Sequence, residues 1–308
     1  MDGGKQRKWT LQKVLGSWQL YVLLLPAVIW LVLFAYYPMY GLLIAFKDFK
    51  GRMGILGSPW AEPLFKHFET FFSTSIAVNA IWNTVAISVL TLLVGFPVPV
   101  IFALLLNQIR HTKVRKAVQT ISYAPYFLST VVIVSIISML FSANGLVNGV
   151  VTSTGEKEIF FTSQPEWFRP LYIGSSVWQS MGFNAIIYIA ALVGISPEYY
   201  EAAIVDGATR FQRIMRIDLP LILPTVILML ILNVGNIMNV GYEKAFLMQN
   251  SMNTTVSELI STYVYKVGLQ QAQYSFATAV GLFNSVVNFI LLVIVNFVSK
   301  KFSDISIF

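Results

Sequence analysis

Apolar residues in this chain run in long blocks, and the polar residues gather between them. Six blocks, at roughly 20–46, 76–106, 118–141, 171–194, 221–240 and 273–298, match or exceed the roughly 20 residues an α-helix needs to cross a hydrocarbon core. With these boundaries no Asp, Glu, Lys or Arg falls inside a block. The pattern predicts an all-α polytopic membrane protein with six transmembrane helices. The second block is too long for a straight crossing and holds Pro97 and Pro99, so a kink and an interfacial first turn are expected there. The chain divides into an N-terminal segment over 1–19, one membrane domain over 20–298 and a tail over 299–308. Outer segments at 47–75, 142–170 and 241–272 are long enough for lids or docking elements and too short for separate domains.

Composition agrees with this picture. Hydrophobic residues make up 56% of the 308, charged residues 11%, and mean hydropathy is +0.69, outside the range of soluble domains. The net charge of +7 would suit a polyanion, but its placement argues for topology instead. With the N-terminus inside, thirteen of the twenty-one basic residues and six of the fourteen acidic ones lie on the inner side, so the outer loops balance. The positive-inside rule therefore puts both termini in the cytoplasm, and no nucleic-acid partner is expected. The first block follows a basic stretch, as a secretory signal would. It is longer than an h-region of about 7–15 residues and lacks a small-residue cleavage site, so it reads as an uncleaved helix. Trp9, Trp18, Trp60, Trp82 and Trp167 read as headgroup anchors. Cysteine is absent, and His67 and His111 sit in polar stretches without ligand spacing, reading as surface residues with no metal between them.

Between the fourth and fifth blocks, over 195–220, lies the one polar stretch with internal order. Ser196 suits a helix N-cap, Pro197 the first helical position, and Glu198 and Glu201 the positive end of a short helix over 197–206. Gly207 permits a backbone turn that larger residues resist. A second amphipathic piece follows, in which Phe211, Ile214, Met215 and Ile217 are expected to pack while Arg210, Arg213 and Arg216 stay wet. Leu219 and Pro220 are expected to end it and start the fifth span. Such a helix-turn-helix has a mechanical use, because small side chains at Ala202 and Ala203 admit a partner surface. The plain alternative is an amphipathic interfacial loop.

Glu201, Ala202, Ala203, Gly207, Ile217, Leu219 and Pro220 fall in the pattern EAA-x3-G-x9-I-x-LP. That pattern resembles the coupling loop of permease subunits in binding-protein-dependent ATP-binding-cassette importers. YYPMYGLLIAFKDF, LLLNQIRHTKVRKAVQTISYAPYFLSTVVI, STYVYKVGL and YSFATAVGLFNSVVNFILLVIVN extend the resemblance, over nearly the full chain, to carbohydrate-importer permeases of the LplB type. The resemblance implies one permease half of a type I importer in a bacterial cell membrane, carrying oligosaccharides or polysaccharide fragments. It also implies a heterodimer with a second homologous permease, two copies of a cytoplasmic ATPase and an extracellular solute-binding lipoprotein. The coupling element would comprise Ser196, Pro197, Tyr200, Glu201, Ala202, Ala203, Asp206, Gly207, Ile217, Leu219 and Pro220.

Hydrolysis of ATP by this chain would need a G-x4-G-K-[ST] phosphate loop, and none occurs. ATP and Mg are therefore expected on the partner ATPase, with no cofactor and no catalytic residue here. No nucleophile elbow or H-E-x-x-H motif points to a membrane enzyme. An ion-driven carrier commonly uses an ionisable group at membrane depth, and the blocks contain none. A permease for a non-sugar solute remains the closest alternative.

Sugars are held by amides, hydroxyls and aromatic faces, so polar and aromatic residues within blocks are pathway candidates. Asn184 and Tyr188 are one turn apart, Asn233 and Asn236 are i, i+3, and Asn284 and Asn288 are i, i+4. Tyr123, Tyr126, Trp178 and Gln179 could add stacking and hydrogen bonds. For each the competing role is interhelical bonding, at about 0.6 kcal/mol apiece.

Overall fold

The structure, a computed structural model, describes residue 16 and residues 18–303. Trp9, the basic residues before it and the end of the tail lie outside the described residues. Among those described there is no strand, only one isolated bridge between Lys47 and Trp60.

The first apolar block is helix α1, Trp18–Phe46, and none of its most apolar stretch is buried. After α2, Lys66–Ser73, the second block forms α3, Ser75–Gly95, and α4, Pro97–Asn107. The break falls at Phe96, because Pro97 brings no N–H to the ladder.

The third block is not one straight helix. α5, Thr112–Tyr123, passes into a 3-10 turn over Ala124–Phe127, and α6, Thr130–Leu140, leaves at 102°. Pro125 interrupts the α ladder, and the Ser129 hydroxyl accepts from Val132 N to start α6 afresh.

After α7, Leu146–Ser153, the fourth block forms α8, Pro165–Asn184, and α9, Ile186–Val193. α8 starts earlier than expected and takes Arg169 into the helix, where its guanidinium donates to Asn83 Oδ1 at 3.0 Å. Close approach also matters here, since a Cβ on Gly182 of α8 would stand 2.3 Å from the Ser122 carbonyl oxygen of α5.

The fifth block corrects another expectation. α10, Pro197–Val205, is followed by α11, a continuous helix over Arg210–Gly235 that neither ends nor begins at Leu219 and Pro220. Pro220 would clash with the carbonyl four residues back, and a π-helical turn over Ile214–Asp218 widens the helix there. The same arrangement recurs in α1, where a π turn over Val32–Tyr36 precedes Pro38. α11 stops at Gly235, short of the expected 240. α12, Tyr242–Met248, α13, Ile260–Val264, and α14, Tyr274–Ser303, complete the chain.

Three apolar clusters hold the bundle. Phe71, Ala77, Ile260 and Val280 join α2, α3, α13 and α14. Val100, Ala103, Tyr188 and Ile222 join α4, α9 and α11. Ile87, Phe168, Ala245 and Leu259 join α3 and α8 to the segment between α11 and α14. Side-chain bonds reinforce this last junction, because Asn83 donates to the carbonyls of Thr255 and Glu258, and Thr84 accepts from Ile260 N. His67 is no free surface residue: its ring nitrogen lies 3.1 Å from the Lys47 carbonyl and 3.3 Å from Asp48. Trp18, Trp60, Trp82 and Trp167 are exposed, and Trp167 also packs edge-on against Phe161.

Candidate functional site

Two places in the fold carry chemistry. The first is the turn between α10 and α11. Pro197 occupies the first turn of α10 and Ser196 its N-cap position, although the serine side chain makes no capping bond. At the other end Gly207 has φ +75°, and Ala208 N returns to the Ala203 carbonyl at 2.8 Å. Thr209 then caps α11: its hydroxyl accepts from Gln212 N, and the Gln212 side chain accepts from Thr209 N. This capping box closes a rigid corner.

The corner presents a mixed surface outward, with Ile204 among charged neighbours such as Arg210 and Arg216. Glu201, Ala202, Asp206, Gly207 and Pro220 are exposed, and Ala203, Ile217 and Leu219 are half-buried. Val205 is 87% exposed. Phe211 and Met215, expected to pack, are also exposed, and Arg213, expected to stay wet, is half-buried. Asp218 is fully buried, accepting from Tyr200 Oη at 2.5 Å and from Gln108 Nε2 at 3.0 Å. One carboxylate thus ties α10 to α11 and to the residue just past α4. Burial first, then the hydrogen bond and charge of Asp218, push the Tyr200 phenol up to about 12, with Asn107 and Arg213 pulling the other way. The proton stays on the tyrosine.

The second place is a cavity of about 410 Å³ among α3, α4, α8, α9 and α11. Asn184, Tyr188, Asn233 and Asn236 line it, four of the residues picked out from the sequence. Ser88, Thr91, Ser176, Ser180 and Asn239, which the sequence did not single out, share its wall. The Ser88 and Thr91 hydroxyls are buried with no hydrogen-bond partner among the described residues. An unpaired buried hydroxyl costs about 1–3 kcal/mol, so these two leave hydrogen-bonding capacity at the cavity wall.

The other candidates fall elsewhere. Asn288 accepts from Met238 N, and its amide and that of Asn284 both donate to Asn239 Oδ1, holding the non-helical chain after α11. These bonds tie α14 to the chain after α11. Asn284 also faces an adjoining cavity of about 710 Å³ that shares Asn239, Val240 and Gly241. Tyr126 stacks on Phe183 at 3.8 Å, Gln179 donates to the Leu128 carbonyl, and Tyr123 and Trp178 line neither cavity. These four brace or flank the bend between α5 and α6.

Residues 95–304 match the family model for the binding-protein-dependent transport system inner membrane component. Over its whole length the chain is 40% identical to protein LplB of Bacillus subtilis, covering 96% of that protein. It is also 40% identical to the polygalacturonan/rhamnogalacturonan transport system permease protein YteP of the same organism, over 99% of this chain and 94% of that one. Among solved structures, a chain of a bacterial transporter that imports the acidic polysaccharide alginate superposes with TM-score 0.87 at 41% identity, over 95% of this chain and 98% of that one. A second structure, of an alginate transporter in complex with its pentasaccharide-bound periplasmic protein, matches at TM-score 0.88 and 41% identity, covering 96% of this chain and 99% of the other.

Proposed function

The chain belongs to the binding-protein-dependent transport system inner membrane component family, and from that premise we propose that the α10–α11 corner is where a separate ATPase grips it. It is the permease component of a sugar or oligosaccharide ABC importer in the bacterial plasma membrane. The reading adds how motion enters this subunit and where the sugar passes.

The tie from Tyr200 through Asp218 to Gln108 carries the proposal. An exposed corner offers a docking surface, but a corner free to swing would move nothing else. Here the corner is fastened by a buried carboxylate to the helix lining the cavity and to the end of the α3–α4 pair. A partner that draws α10 toward itself therefore draws the cavity walls. Two ATPase copies closing on ATP would pull this corner and its counterpart in a second, homologous permease, opening the cavity toward a docked binding protein. Hydrolysis on those ATPases would reset it. The corner then faces the cytoplasm, with both termini.

The cavity is the route for fragments of polysaccharide, supported by its amide and hydroxyl wall and the two unpartnered hydroxyls. The most apolar stretch of α1, none of which is buried, packs on lipid or on the second permease. Cysteine cross-linking tests the docking role: a cysteine at Val205 should form a disulfide with one placed in the ATPase surface groove, and the yield should change when ATP binds. A Val205 cysteine reached by no groove position, while uptake stays intact, refutes it.

A further inference from the structure

We propose that Lys244 makes the cavity selective for saccharides bearing acidic groups, an inference that rests on the cavity being the sugar's route. Lys244 lies on α12 and is only 7% exposed. Its ammonium donates to Ser176 Oγ at 2.8 Å and sits 5.2 Å from the centre of the Tyr172 ring, and both residues line the cavity. The Ser176 hydroxyl donates in turn to the Tyr172 carbonyl at 2.7 Å, so its lone pair is what faces the lysine.

A buried cation is ordinarily paired with a carboxylate or surrounded by acceptors. Lys47 shows the second arrangement: it is equally buried, and its ammonium donates to the carbonyls of Ile55, Leu56 and Ser58. Lys244 shows neither. Among the described residues the ion pairs fall on Lys66, His67 and Lys266, and Lys244 has one acceptor for its three protons. The neighbouring Glu243 is exposed. Burial pulls the Lys244 ammonium down to about 8, so most of it stays charged at neutral pH.

The unbalanced charge is one hydroxyl away from a cavity whose wall contains no Asp or Glu. With no acidic residue in the cavity wall, the field of Lys244 reaches into the cavity. Methionine would fill the same space without the desolvation cost. A charge held there gains a counter-charge when the ligand supplies one, which a carboxylated or sulfated sugar does and a neutral sugar does not.

The test uses the complete transporter with its partner subunits and binding protein in proteoliposomes. Probes are uronate tetramers, sulfated oligosaccharides, and the same tetramers as methyl esters. Wild type should transport an acidic probe in preference to its neutral counterpart. Lys244→Met should lower kcat/KM for the acidic probe about tenfold more than for the neutral one, and Lys244→Arg should keep the preference. Should Lys244→Met fail to assemble, Lys244→Gln supplies the neutral arm. Wild type moving only the neutral probe, or either neutral variant slowing both probes equally, overturns the proposal. Ser88→Trp, which fills the cavity, separates the two levels. If it blocks both probes the route stands whatever Lys244 does, and if it blocks neither the route itself is wrong.

Discussion

The Tyr200 phenol donates a 2.5 Å hydrogen bond to the carboxylate of Asp218, eighteen residues further along, and that carboxylate is fully buried. The exposed helix α10 and the base of α11 are thereby one mechanical piece. Removing only the phenolic oxygen should loosen it. Tyr200→Phe should cost about 1–2 kcal/mol of stability, because the Asp218 oxygen loses a donor, and should lower sugar-stimulated ATP turnover more than basal turnover. Thermal melting of the purified complex and ATPase assays with and without loaded binding protein check both. Unchanged stimulation would remove the tie from the mechanism.

The same pair sets a pH window. The phenol is raised from an ordinary value of 10 to about 12, so its contribution is complete below pH 10 and is lost as pH rises through 12. Spectrophotometric titrations of tyrosinate in wild type and in Tyr200→Phe should differ by one residue ionising near pH 12.

Gly207 has φ +75°, and a Cβ added there would meet nothing within 4 Å. Substitution is therefore a matter of backbone conformation alone. Gly207→Val should insert in the membrane normally but dock poorly on the ATPase, since a left-handed β-branched residue costs about 1–2 kcal/mol. Gly207→Asn should be tolerated. Co-purification of ATPase with each variant reads the difference.

Ser88 and Thr91 should show opposite effects on stability and function. Each hydroxyl is buried and unpartnered, so Ser88→Ala and Thr91→Val should leave the melting temperature unchanged or raise it. If the hydroxyls meet sugar, the same variants should reduce uptake several-fold, by about 1 kcal/mol apiece. A lower melting temperature with normal uptake would make them structural.

Much of this was legible in the sequence. The apolar blocks located the spans, Ser196, Pro197 and Gly207 located the corner, and Asn184, Tyr188, Asn233 and Asn236 face one cavity. What escaped depended on local geometry or on distant chain. Pro125 with Ser129 bends the third block, a signal present in APYFLST but hidden within an unbroken apolar run. Pro220 looked like a helix start because a sequence does not display the π turn that accommodates it. Asp218 occupies the variable position of I-x-LP, and its value comes from Gln108, 110 residues away. Lys244 lies in an outer segment, and its partner Ser176 on α8 is 68 residues away.

Orientation has its own check. A cysteine at Ser153 should react with an impermeant reagent from outside, and one at Thr112 only after permeabilisation. The reverse pattern would invert the corner and leave it out of reach of a cytoplasmic ATPase.

The central claim is that sugar moves because an ATPase pulls the α10–α11 corner. The most direct measurement is accumulation of radiolabelled oligosaccharide in proteoliposomes containing the purified subunits, with and without ATP and with the Gly207→Val variant. Accumulation should require ATP, binding protein, partner permease and ATPase together, and should fall in Gly207→Val as ATPase docking falls. Accumulation by this chain alone, driven by a proton or sodium gradient with no ATPase present, would contradict it.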